Sequence, residues 1–202
     1  MFHTLKRDCG AIRANQRLIA VMLFVWLLIF LPQGNLAFLA GMCGVLAGII
    51  LSSSIVDAYR GLNVPPGGPK GFVVEKYLFG LLLTLIMAAF TGFAGLLMTL
   101  FMDKIVVLDV AVAVVGCLIC CLFYMALLLP FLFKLGIEKA KTITILCFAI
   151  PYGILLVLVV TGQIVLTTAA GFPSMLTFAL IVSGGLYVIS FLLAQLLVEK
   201  KS

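Results

Sequence analysis

The sequence predicts an all-α integral membrane protein with six transmembrane helices and both termini cytoplasmic. Three observations carry this. Of the 202 residues, 65% are hydrophobic and 10% charged, against about 25% charged in a soluble domain. The apolar residues come in continuous blocks, unlike the roughly ten-residue alternating strands of a membrane barrel. In lipid the backbone must pair its polar groups internally, so helices are the spanning unit. Finally, a six-span arrangement places every Lys and Arg except Lys104 on one side. Such an asymmetry sets orientation, with the basic side inside.

Each element follows in order. In residues 1–17, Phe2, Leu5, Cys9 and Ile12 fall on one helical face, and Lys6, Arg7, Arg13 and Arg17 supply positive charge. This suits a short helix lying on the cytoplasmic membrane surface. Span one covers about 17–31, short against the roughly 20 residues of a full crossing, with Arg17 snorkelling to the interface. Pro32-Gln33-Gly34-Asn35 makes a turn. Span two covers about 36–56. Gly41, Gly44 and Gly48 line one side of it, a small-residue pattern that lets helix backbones approach closely. Packing within one subunit is favoured over a dimer interface.

The longest polar interruption is Asp57–Lys76. Pro65, Pro66, Gly67, Gly68 and Pro69 are expected to stop a helix from running through it. Tyr59, Arg60, Leu62 and Val64 form an amphipathic cluster suited to a groove on a partner. Lys70, Glu75, Lys76 and Tyr77 lead into span three, about 77–101. A charged turn at Met102-Asp103-Lys104 precedes span four, about 105–129, where Asp109 favours the positive helix N-terminus. Pro130 is expected to close this span, before a loop from Lys134 to Lys141. Span five covers about 142–161, kinked by Pro151. An uncharged segment rich in small residues precedes span six, about 174–198.

Several chemistries are excluded. There is no G-x-x-x-x-G-K-[ST] phosphate loop, so ATP is not bound in the usual way. No His, Asp or Glu cluster has metal spacing, and no nucleophile has a plausible base partner. Catalytic, cofactor and metal residues are therefore expected to be none. Cys117-x-x-Cys120-Cys121 has only apolar neighbours and reads as buried small hydrophobes. A charge in mid-span costs about 3 kcal/mol on insertion scales. Asp109 is the sole candidate and sits near a helix end, which disfavours an ion-coupled transporter. The net charge of +6 reflects topology, and no nucleic-acid partner is expected.

Two segments resemble a known pattern. Leu129-Pro130-Phe131-Leu132-Phe133-Lys134-Leu135-Gly136-Ile137-Glu138-Lys139-Ala140-Lys141 resembles the signature between the fourth and fifth spans of small, six-span bacterial ABC-2-type transporter permeases. Pro130, Lys134, Gly136, Glu138, Lys139 and Lys141 carry the likeness, with Lys141 where the pattern has arginine. The second segment runs through Asp57, Pro66 and Lys70 to Lys76-Tyr77, and resembles the family's stretch before span three. The resemblance implies a membrane subunit that pairs with a second permease chain, as homo- or heterodimer, in the lipids of a bacterial cytoplasmic (inner) membrane. It implies a separate ABC ATP-binding subunit that carries ATP and Mg. Residues 57–77 would then be the coupling loop.

The expectation is a multi-pass permease subunit, not itself an enzyme. It would export an amphipathic or hydrophobic substrate such as a peptide or drug. The alternative is a non-transporting membrane scaffold or immunity protein that binds a partner through its cytoplasmic loops.

Overall fold

In the computed structural model, the described residues are 20–21, 24–25, 36–60, 68–101, 106–135 and 172–199. They contain four long helices: α1 (Leu36–Arg60), α2 (Gly68–Phe101), α3 (Val107–Leu135) and α4 (Phe172–Glu199). Within three of them, Lys70–Phe101, Val107–Lys134 and Leu176–Val198 are long and apolar enough to cross a membrane. In α1 the apolar stretch Leu39–Ser52 is shorter. The expected surface helix and span five lie outside the described residues, and of span one only 20–21 and 24–25, all helical, are described.

Three helices run well past the limits the sequence suggests, and in two of them a proline is accommodated. α2 begins at Gly68, ahead of the expected start at Tyr77. Pro69 falls in its first turn, where the missing N–H has no intrahelical partner in any case. α1 likewise continues to Arg60. Much of the polar interruption is thus helical, and only 61–67 of it is undescribed. α3 passes through Pro130 to Leu135. A membrane helix tolerates an internal proline when a neighbouring helix satisfies the backbone group it frees.

α2 and α3 form the centre. Each touches the other and both outer helices, while α1 and α4 do not touch each other. α1 and α3 run in the same sense, because Gly44 meets Cys120 and Gly48 meets Tyr124. α2 runs against α3, with Gly95 beside Val110 near one end and Phe72 edge-on to Phe133 near the other, their centroids 5.9 Å apart. Tyr187 and Ser190 of α4 meet Tyr77 at the start of α2, so α4 also runs antiparallel to α2.

Close backbone approach fixes the α1–α3 contact. A Cβ on Gly48 would fall 1.5 Å from Tyr124 Cε1, so the ring occupies the space that glycine leaves. Gly41 is buried on the same helix. The core is apolar: Leu39, Leu46, Leu51, Ile55, Leu83, Met98, Met125 and Leu129 are fully enclosed. By contrast, 11% of the apolar window of α4 is buried, and Phe178, Ile181, Leu192 and Leu196 point outward.

Candidate functional site

The site is built where α2 begins, among Phe72, Glu75, Lys76 and Tyr77. Neighbouring positions on a helix point about 100° apart. Lys76 and Tyr77, adjacent in sequence, therefore reach different neighbours.

Lys76 turns toward α1 and is completely buried. Its Nζ lies 3.5 Å from both the carbonyl and the hydroxyl oxygen of Ser54. It also sits over the Phe72 ring at 5.4 Å and the Phe79 ring at 5.9 Å. An ammonium taken out of water needs such acceptors and ring faces to offset its lost hydration. Ser54 Oγ in turn donates to the Leu51 carbonyl at 2.9 Å.

Tyr77 turns toward α4. Its ring meets those of Tyr187 and Phe191 edge-on, at 5.2 and 5.1 Å. Its hydroxyl lies 2.6 Å from Ser190 Oγ. Ser190 Oγ donates to the Ala126 carbonyl at 2.7 Å, which uses its one proton, so Tyr77 donates to Ser190. Tyr187 Oη closes the group by donating to the Tyr77 carbonyl at 2.5 Å. These bonds join α2, α3 and α4.

Glu75 is buried, and among the described residues its Oε1 has no hydrogen-bond partner. An unsatisfied buried carboxylate oxygen is costly, and such groups concentrate where proteins do work.

The coupling positions read from sequence thus divide. Lys70 is exposed on the first turn of α2. Glu75, Lys76 and Tyr77, expected to lead into span three, face the protein interior. Asp57, Tyr59 and Arg60 lie in the last turn of α1. Leu62, Val64 and Pro66 fall outside the described residues. Of the Leu129–Lys141 motif, Pro130 lies inside α3 and Lys134 is exposed in its last turn. Gly136, Glu138, Lys139 and Lys141 fall outside the described residues.

Asp109 acts as a cap. Its Oδ2 accepts from the Val106 amide at 3.0 Å, satisfying a backbone donor at the start of α3. Thr84 and Thr91 donate to carbonyls of their own helix, Gly80 and Met87, at 2.9 Å. Thr91 also reaches Cys43 Sγ at 3.5 Å. The sulfurs of Cys117 and Cys121 lie 3.9 Å apart on one face of α3. Among the described residues, no group of three or more His, Cys, Asp or Glu could hold a metal ion.

Sequence reasoning passed over Ser54, Ser190 and Tyr187. A signal for two of them existed. Ser183, Tyr187 and Ser190 share one face of an apolar span, and an internal Pro130 frees the carbonyl of residue 126 in search of a donor.

Neither a curated protein nor a solved structure matches the chain. The family described as "ABC-2 family transporter protein" matches residues 5–199. An all-helical bundle with three membrane-length apolar helices and this nearly full-length match lead to one conclusion: the chain belongs to the ABC-2 family of transporter proteins.

Proposed function

We propose that the chain is the membrane-spanning subunit of an ATP-driven exporter, powered by a separate ATP-binding subunit that carries ATP and Mg. The observation that supports this most is the continuity of α2. One helix leads from Gly68, in the polar stretch, to Phe101. Its apolar part, Lys70–Phe101, spans 32 residues, or about 48 Å at 1.5 Å per residue. A hydrocarbon core is about 30 Å thick, so the first turns of α2 would stand clear of it. A partner acting there would move the whole helix.

The topology is six spans with both termini cytoplasmic, in a bacterial inner membrane. α3 and α4 run in the same sense, which supports a further crossing between them. The outward apolar side chains, including Leu85, Phe93 and Leu100 of α2 and Leu196 of α4, suit lipid and a second permease chain. The cargo is amphipathic or hydrophobic, because the described spans offer no exposed charge at mid-depth to bind an ion.

The test is purification of the tagged chain from its native host in mild detergent, followed by mass spectrometry. A stoichiometric protein with a Walker A sequence is expected. Arg60→Glu should release it while membrane insertion is unchanged. A folded chain with no ATPase would overturn the proposal in favour of a scaffold. Retention of the ATPase by Arg60→Glu would move the docking site elsewhere.

A further inference from the structure

Pro130 has no amide proton, so the Ala126 carbonyl one turn earlier loses its helical partner. That carbonyl is nonetheless paired: Ser190 of α4 donates to it at 2.7 Å, and Tyr77 of α2 donates to Ser190. The weak point of α3 is thus closed by hydroxyls from two other helices. Before this point α3 packs on both α1 and α2, the former through Cys120 and Tyr124 against Gly44 and Gly48, the latter through Val110 and Val114 against Gly95 and Gly92. After it, Phe133 stacks edge-on against Phe72, in the first turns of α2.

We propose that Pro130 is a hinge in α3 and that Tyr77 and Ser190 are its latch. The tip of α3, residues 131–135, follows the start of α2 through the Phe72–Phe133 contact. The body of α3 stays with α1 and with the far end of α2. Displacing the start of α2 draws Tyr77 away from Ser190, loosens the bond to the Ala126 carbonyl and lets the tip swing. Tyr77, Ser190 and Pro130 are positioning residues in this scheme. That ATP drives the displacement rests on the function proposed above; the hinge and latch themselves do not.

A melting cycle in detergent tests the latch without the ATPase. Ser190→Ala strips the Ala126 carbonyl of its donor and should lower the melting temperature by several degrees. Pro130→Ala restores an amide to that carbonyl, so in this background Ser190→Ala should cost less than half as much. Equal losses in both backgrounds would overturn the latch.

The hinge is read directly by spin labels at positions 108 and 134, both exposed and both on α3. Non-natural amino acids carry the labels, which leaves the native cysteines alone. Labelled chains are diluted with unlabelled ones to isolate distances within one helix. The straight-helix separation is roughly 39 Å. Tyr77→Phe, which keeps the ring, should broaden the distribution toward shorter distances. Pro130→Ala should narrow it and abolish the effect of Tyr77→Phe. Superimposable distributions would overturn the hinge. In a complex with an active ATPase, ATP should shift the distance. No shift there would overturn the role of the latch in transmission. Failure to find any ATPase would instead overturn the exporter reading, with the latch decided by the melting cycle.

Discussion

Single side chains decide how this bundle holds together. Gly48 is the clearest case, because the Tyr124 ring sits where a methyl group would go. Overpacking a tight contact costs about 1–3 kcal/mol. Gly48→Ala should therefore lower the melting temperature in detergent, and adding Tyr124→Leu should recover part of the loss. Strictly additive losses would mean that the two residues do not meet. Glu75 behaves differently. Its Oε1 is buried without a partner among the described residues, so an amide of the same shape gives up no hydrogen bond there. Glu75→Gln should match or exceed wild-type stability, by about 1 kcal/mol. A clear loss would reveal a cationic group bound to Glu75 in the membrane. The sequence disclosed the charge of Glu75 and Lys76 but not their burial, because burial depends on what α1, α3 and α4 bring around the start of α2.

At the level of whole helices, hydropathy was a good guide and proline a poor one. The expected spans 36–56, 77–101, 105–129 and 174–198 each coincide with an observed helix. The misplaced limits lie at Pro69 and Pro130. Pro69 looks like a breaker in sequence but occupies a first turn, where it fits. Pro130 looks like a terminus, but a serine on another helix sustains the chain beyond it. The sequence near Pro130 does not announce such a donor; the hint lies far down the chain, in the polar face of α4 at Tyr187 and Ser190. Glycines divide in the same way. Gly95 has Val110 against it, whereas none of the described residues lies within 4 Å of the position a Cβ would take on Gly184. Gly184→Ala should stabilise α4 by roughly 0.5–1 kcal/mol through helix propensity, and Gly95→Ala should destabilise the bundle. Thermal melts of the two variants compare them directly; a loss from Gly184→Ala would show a neighbour packed on that face.

Across the whole molecule, the direction of each helix fixes what faces which side. α1 ends and α2 begins at one end of the bundle, and Phe101 and Val107 lie at the other. With the basic residues inside, a thiol-reactive, membrane-impermeant reagent should label Lys104→Cys from outside intact cells. Lys70→Cys should react only after the cells are opened. The reverse result would invert the topology. Of the candidate site, Lys76 and Tyr77 were singled out in the sequence, and in the structure they tie α2 to both flanks. The pairing itself was not legible, because Ser190 lies 113 residues from Tyr77 and 64 from Ala126.

That distance along the chain has a consequence for biosynthesis. The ribosome delivers α1, α2 and α3 well before Ser190 of α4. Until then the Ala126 carbonyl stands unpaired at Pro130, and Tyr77 has no Ser190 to meet. The nascent chain that still lacks α4 is therefore incomplete at one defined spot, which α4 seals. A chain truncated before position 190 would retain the α1–α3 glycine contacts yet expose this polar spot to lipid, giving membrane quality-control proteases a way to distinguish unfinished copies from finished ones.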